Sequence, residues 1–451
     1  MSAKIFRDPL YNYISIDPTR DRWLIELLDC PEVQRLRRIH QLGVSHFTYP
    51  GADHSRLSHS LGVVHLMQIA LSHIASLGES DPQIERGRHP LLAAALLHDV
   101  GHGPYSHVFE SCLDIDHETW SCAIIECPDS SVNRVLRKYD IPIESVSALI
   151  KKGNEDRPAW QKSLLSSQLD VDRLDYLRRD SLFTGADYGH FDWYRLLTSF
   201  TLDGPADGYR DLVWEGRAKF AIEEYIFSRY YMYENVYFHK TTRGFEKLLQ
   251  ALWQRAKELL RDGSSADLVK PIRDFWKKKS PGVSDYLAIE EHTVLFQMQQ
   301  WTKNSDNVLS DLSRRFLTRN PFAMIKAPQG NVLGQSMDAW EAALKSLVAS
   351  KGFAPADFYV LRDDLTEKLY EPKKRDRGPY VPEPESDEQV PSNAIRVLGD
   401  DGRPVEITKL LTRLANVTKE PIPQVRYYIP REIRKEVIAL RQQWCSETES
   451  R

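Results

Sequence analysis

The segment HPLLAAALLHDVGHGPYSH, residues 89–107, constrains this chain more than any other. Seven consecutive apolar residues, Leu91 to Leu97, predict a buried helix, and Gly101, Gly103 and Pro104 bring it to an end. His98 and Asp99 stand at that end, so a buried helix delivers an imidazole and a carboxylate to one place. Groups of this kind are costly to bury unless they are paired or bound to a metal. Alone, the pair fits either a metal site or a capped helix end.

Two further segments add to it. In SRLSHSLGVVHLMQIAL, His59 shares a helical face with Val63 and Leu66 and so points inward. In SSQLDVDRLDYLRRD, the acids 170, 172 and 175 lie on a helix that also carries Leu169, Val171, Leu174 and Leu177. A lone inward histidine is usually a satisfied core residue, and an acidic helix face is usually solvated. Together the segments supply His, His-Asp and Asp, a nitrogen and oxygen set suited to Mn, Fe, Mg, Zn or Ni with positions open to water and phosphate.

Bulk properties limit the alternatives. The formal net charge is -4, so no global positive field recruits nucleic acid or anionic membrane, and a polyanion site must be a local pocket. No stretch approaches a membrane span and the first residues lack signal-peptide character, which predicts a cytoplasmic protein. The five cysteines form no CxxC pair and read as reduced and structural.

Residues 1–315 read as a mainly α helical core, and 316–451 as a smaller C-terminal α/β lobe. The 222–260 stretch, IEEYIFSRYYMYENVYFHKTTRGFEKLLQALWQRAKELL, reads as helical, with Arg229, Tyr233, Tyr237 and Lys240 on one side. In the lobe, PFAMIKAP, ADFYVLR and AIRVLGDDGRPVEI read as short strands, the last as a hairpin around Asp401-Gly402. The proline-rich and charged stretch near 371–392 reads as an exposed or mobile loop, and the GNEDRP segment at 153–158 as a loop that breaks the helical pattern.

The ordered stretches FRDPLYNYI, QRLRRIHQLG, YPGADHSRLSHSLGV, HDVGHGPYSHVFE, DVDRLDYLRRD and YENVYFHK resemble the HD-domain phosphohydrolases, in their deoxynucleoside triphosphate triphosphohydrolase branch, over roughly residues 5 to 245. The resemblance implies an HD-type helical fold. It places the metal ligands on His59, His98, Asp99 and Asp172, choosing Asp172 over Asp170 and Asp175. A divalent ion would polarise a phosphoryl oxygen and make bound water acidic enough to attack near neutral pH.

Phosphate ester cleavage also needs a proton for the leaving oxygen. The histidines beyond the metal pair, 102, 107 and 117, can supply one, with Glu110 and Glu118 able to orient them. The resemblance makes His117 the general acid, positioned by Glu110 and His107, with Glu110 standing where the mammalian member has aspartate. It also implies phosphate contacts from Arg56, Arg173, Arg229 and Lys240. Gln41, Tyr176 and Asp180 would hold the sugar 3′-hydroxyl, while Leu42 and Tyr237 would pack around the sugar and leave little room for a 2′-hydroxyl.

Regulation follows the same resemblance. Lys4, Ile5, Asp29, Gln34 and Arg37 match parts of a nucleotide effector pocket, and a homo-oligomer, dimer or tetramer, is expected. Arg7 departs from the mammalian asparagine. The expected reaction converts a dNTP to deoxynucleoside and triphosphate. The alternatives are an HD-type hydrolase of NTPs, dinucleoside polyphosphates or nucleic-acid ends, and a nucleotide sensor without turnover.

Overall fold

The computed structural model describes residues 2–78, 82–113, 115–151, 159–204, 210–263, 266–328, 337–365, 394–414 and 424–449. The 371–392 and 153–158 stretches lie outside them. The fold is mainly α, as its sequence periodicity predicts. No helix among the described residues is long and apolar enough to cross a membrane. The five cysteines carry thiols rather than disulfides.

Three helices frame the centre. The Arg56–Ser76 helix packs against the Pro82–Leu97 helix, which carries the apolar run, and against the Val171–Thr184 helix. The last is tightly delimited. The Asp170 side chain accepts from the Arg173 N–H at 2.7 Å, satisfying one of the free amides of the first turn, and Gly185 closes the helix in the left-handed region at φ 70°. Leu91 through Leu97 are all buried, so the run ends inside the protein with His98 and Asp99 just beyond it.

Gly101 lets the following turn sit hard against the His117–Glu126 helix. A Cβ there would lie 2.2 Å from both the His117 carbonyl oxygen and the Ser121 amide nitrogen. The contact is fastened by Ser121, whose hydroxyl accepts from the Gly101 N–H at 2.9 Å and donates to the His98 carbonyl at 2.7 Å. This approach brings His117 beside the metal pair.

Among the described residues, strands occupy three small sheets. Lys4–Asp8 and Asn12–Ile16 form an antiparallel hairpin. Gln424–Ile429 is the centre of a three-stranded antiparallel sheet between Ala323–Lys326 and Leu361–Leu365. The hairpin of Arg396–Leu398 and Pro404–Glu406 forms around Asp401-Gly402, but it joins the Phe200–Asp203 and Asp211–Trp214 strands through a parallel contact, Trp214 beside Val397. Residues on both sides of position 315 therefore share each of the two apolar clusters.

Two expectations change. The ADFYVLR strand begins only at Leu361, because Ala356–Phe358 makes a 3-10 turn and buries Phe358, Tyr359 and Val360 in the second cluster. The 222–260 stretch is not one helix. Lys219–Met232 runs into a π turn at Tyr233–Tyr237, and a new helix, Lys240–Arg261, starts after His239, whose ring nitrogen accepts from the Thr241 N–H.

Candidate metal centre and nucleotide pocket

His59 and His98 meet at Nε2, 3.3 Å apart. Their other ring nitrogens are both occupied. His59 Nδ1 lies 2.8 Å from Asp175 Oδ2, and His98 Nδ1 lies 3.0 Å from the Ala95 carbonyl oxygen. Each acceptor holds the proton on Nδ1 and leaves an Nε2 lone pair aimed at the same point. Asp172 Oδ1 is 3.0 Å from His59 Nε2 and 3.5 Å from His98 Nε2. Asp99 stands 3.7 Å and 3.4 Å from the same two nitrogens.

Ligand atoms of His59, His98 and Asp172 all lie within 4.8 Å of one another in a partly buried space, and Asp99, paired with Arg56, stands beside them. Burial works against a charged His59, but its hydrogen bonds to Asp172 and Asp175 prevail and push its pKa up to about 10. Burial likewise favours neutral Asp172, yet His59 and His98 hold its carboxyl well below the usual range. With metal–ligand bonds of about 2.0–2.2 Å, neighbouring ligand atoms stand roughly 3–3.5 Å apart, close to the spacing found. The donor set therefore fits a divalent ion.

A second cluster adjoins the first. Glu110 Oε1 is 3.0 Å from His102 Nδ1, 3.3 Å from His107 Nδ1 and 3.0 Å from His117 Nδ1. The His102 and His117 rings stack at 3.8 Å. Burial, together with the charges of Arg56 and His117, lowers the His102 pKa to about 3, so that ring is neutral. Burial opposes ionisation of Glu110, but hydrogen bonds from the three histidines hold it far below the carboxylate range. Of the three rings, His107 is largely exposed, at 72%.

Both clusters open into one cavity of about 480 Å³, whose walls include His59, Asp99, Asp172, His102, His107 and His117. Among the residues expected to bind nucleotide, Gln41, Leu42, Arg56, Tyr176, Asp180 and Tyr237 line it. Arg56 pairs with Asp99 and also donates from Nε to Ser106 Oγ at 2.9 Å. Asp180 is fixed from two sides, by His54 Nε2 at 2.7 Å and by the Tyr237 hydroxyl, which donates at 2.9 Å.

Three expected phosphate contacts are not in the cavity wall. Arg173 turns back to Asp170 at 3.2 Å, buried Arg229 donates to Gln168 at 3.0 Å, and Lys240 is exposed at the start of its helix. The break after Tyr237 is what separates Lys240 from the tyrosine face. The wall includes Tyr233, from the side named in the sequence, and also Arg243, Glu246 and Gln250, which sequence reasoning missed as lining residues. Arg243, Glu246 and Gln250 recur at helical spacing on the Lys240–Arg261 helix, a signal that becomes readable only once the helix start is known.

The expected effector residues lie at the surface. Lys4, Ile5, Asp29 and Arg37 are exposed, and Gln34 links to Arg37, accepting from its Nε at 2.7 Å. Arg7 donates to Asn12 at 3.0 Å and covers the Tyr13 ring.

The HD domain family matches residues 56–180, the span that runs from Arg56 to Asp180 through every proposed metal ligand. An uncharacterized Bacillus subtilis protein, YwfO, is 33% identical over 95% of this chain and 93% of its own length. The deoxynucleoside triphosphate triphosphohydrolase SAMHD1 of Gallus gallus is 30% identical over 56% of this chain, which spans only 45% of that enzyme. A phosphohydrolase from Bacteroides thetaiotaomicron has a crystal structure that superposes with a TM-score of 0.77 at 26% identity, covering 95% of this chain and 100% of the other. This chain belongs to the HD-domain phosphohydrolases, a family of metal-dependent hydrolases.

Proposed function

We propose that the protein hydrolyses deoxynucleoside triphosphates at the α-phosphorus, releasing a deoxynucleoside and inorganic triphosphate. The observation that carries this reading is the shared cavity: His59, Asp99 and Asp172, the rings of His102, His107 and His117, and the group of Gln41, Tyr176, Asp180 and Tyr237 line one space. In this reading His59, His98, Asp99 and Asp172 hold a divalent ion. Such an ion supplies Lewis-acid polarisation of a phosphoryl oxygen and lowers the pKa of water.

The protein's own groups do the rest. Arg56 is held against Asp99 and Ser106 and presents charge to an α-phosphate beside the centre. Water oxygen bonds to phosphorus as the bond to the sugar 5′ oxygen breaks, and that oxygen needs a proton. His117 provides it from Nε2, since Glu110 engages Nδ1 at 3.1 Å and fixes the ring. Neutral His102 stacks on His117 without adding a competing charge. Tyr237, tied to Asp180, and Leu42 restrict the space around C2′ and favour deoxyribose by steric exclusion.

The same reading assigns residues 1–315 to the hydrolase unit and 316–451 to a supporting lobe. It also includes homo-oligomeric assembly, with a nucleotide effector at Lys4, Ile5, Asp29, Gln34 and Arg37. Exposure of Ile5 at 59% supports a surface that is covered on assembly. The test is a metal-supplemented panel of dNTPs, NTPs, dinucleoside polyphosphates and single strands, with products identified by mass. Deoxynucleoside plus triphosphate is expected. Diphosphate or monophosphate release from every active substrate would overturn the proposed reaction and leave the hydrolase assignment standing.

A further inference from the structure

Outside the cavity, His40, His46 and Asp53 repeat the design of the metal centre. One potential ligand atom from each lies within 4.8 Å of the other two, the same closeness shared by His59, His98 and Asp172. The rings stand 5.0 Å apart between centroids and stack at 27°, where those of His59 and His98 stand 5.3 Å apart and meet edge-on at 78°. Their Nδ1 atoms are engaged in the same way. His40 Nδ1 pairs with the Glu291 carboxylate, as His59 does with Asp175, and His46 Nδ1 lies 3.3 Å from the Gly43 carbonyl, as His98 faces Ala95. His40 Nε2 faces Asp53 Oδ1 at 3.6 Å, and with Nδ1 turned to Gly43 the remaining ring nitrogen of His46 is its Nε2.

The support behind these rings is built rather than accidental. Glu291 is 2% exposed and also accepts from the His40 N–H at 2.8 Å and the Tyr105 N–H at 3.1 Å, so its carboxylate is fixed before it meets the ring. Gly43, whose carbonyl orients His46, has φ 52°, and a Cβ there would lie 2.9 Å from the Tyr105 carbonyl oxygen. A carboxylate or carbonyl behind each metal-binding imidazole is the arrangement that sets tautomer and ring direction in metal sites.

We propose that His40, His46 and Asp53 form a second cation site that takes a borderline divalent ion of the Zn²⁺ class. Two imidazoles and one carboxylate select such an ion over Mg²⁺ or Ca²⁺, which favour oxygen ligands. The Asp53 side chain is 67% exposed, so this site faces solvent and binds less tightly than the buried centre. Occupancy ties the two ends of the 40–53 segment together. That segment carries Gln41 and Leu42 into the cavity, and Ser106, which accepts from Arg56, donates to the His40 carbonyl at 2.9 Å. The ion therefore stiffens one wall of the nucleotide pocket.

The test is Zn²⁺ binding to chelator-stripped protein by equilibrium dialysis and metal quantification. Wild type should hold two ions per chain, His46→Phe one, and His98→Ala/Asp99→Ala one, with none when the three changes are combined. Asp53→Asn, at an exposed position, should weaken the second ion at least ten-fold without altering the first. The proposal is overturned if His46→Phe and Asp53→Asn both bind two ions with wild-type affinity, or if wild type binds one ion that His98→Ala/Asp99→Ala removes. Should the His98 and Asp99 variant not fold, His46→Phe and the exposed Asp53→Asn decide alone. One ion lost with His46→Phe but kept by His98→Ala/Asp99→Ala would instead count against the buried centre and leave the second site standing.

Discussion

His59 Nδ1 and Asp175 Oδ2 stand 2.8 Å apart, and neither side chain is more than 1% exposed. A carboxylate in that position keeps the proton on Nδ1, turns Nε2 toward the centre and makes it more basic. Asp175→Asn keeps the shape and loses the charge. Metal affinity is expected to fall by about 10–100-fold, the usual effect of removing such a support, read by metal retention against a competing chelator. Equal retention in wild type and variant would refute this role for Asp175.

The same carboxylate is held from behind. Arg179, fully buried, donates to Asp175 at 2.8 Å and to Asp8 of the N-terminal hairpin at 2.8 Å. Arg179→Met would take the guanidinium from two buried carboxylates, leaving Asp175 only its His59 contact, and is expected to destabilise by about 3–5 kcal/mol. Gly62→Ala attacks the same place sterically, since a Cβ would fall 1.8 Å from Asp175 Oδ1. Both should lower the thermal midpoint by several degrees. An unchanged midpoint in both variants would show that the network is not a stability element.

How much of this was legible depended on whether a residue's role is local. His98 and Asp99 announce themselves because polar groups follow an apolar run, and His59 because it shares a face with Val63 and Leu66. Asp172 and Asp175 sit on one acidic helix, and nothing in their spacing says which faces the histidine Nε2 atoms and which supports Nδ1. That division depends on how the helices Arg56–Ser76 and Val171–Thr184 pack. Lys240 falls outside the cavity wall for a related reason: periodicity continues through a π turn that the backbone does not follow as one helix. The 396–406 hairpin was readable from its turn, but its pairing beside Trp214 was not, because strand partners distant in sequence leave no local signal.

Asp363 gives a pH prediction away from the metal centre. Burial alone would raise its pKa, but hydrogen bonding to Arg243 and the charges of Arg243 and Lys247 lower it instead. A depressed folded-state value means that the stabilisation is fully present above the unfolded aspartate value, near 3.9, and fades as pH falls through the folded value. The thermal midpoint of Asp363→Asn should therefore lie furthest below wild type near neutral pH, with the gap closing below about pH 4. A gap that stays constant across that range would mean the pair contributes through packing rather than charge.

His117 can be tested through the leaving group. Its Nδ1 is engaged by Glu110 at 3.1 Å, and its side chain is 15% exposed at the cavity wall, so Nε2 can reach a bound ester oxygen. A general acid matters most when the departing oxygen is a strongly basic alkoxide, as the sugar 5′ oxygen is. It matters little when a nitrophenolate leaves, because that anion departs unprotonated at neutral pH. His117→Ala should therefore lower kcat on a nucleotide substrate by about 10²–10⁴, with KM little changed, while turnover of a nitrophenyl phosphate diester falls far less. Glu110→Gln, which keeps a hydrogen-bonding side chain beside Nδ1 but removes the charge, should give the same pattern in weaker form. Equal losses on both substrates would assign His117 to binding or metal support and remove it as the proton donor.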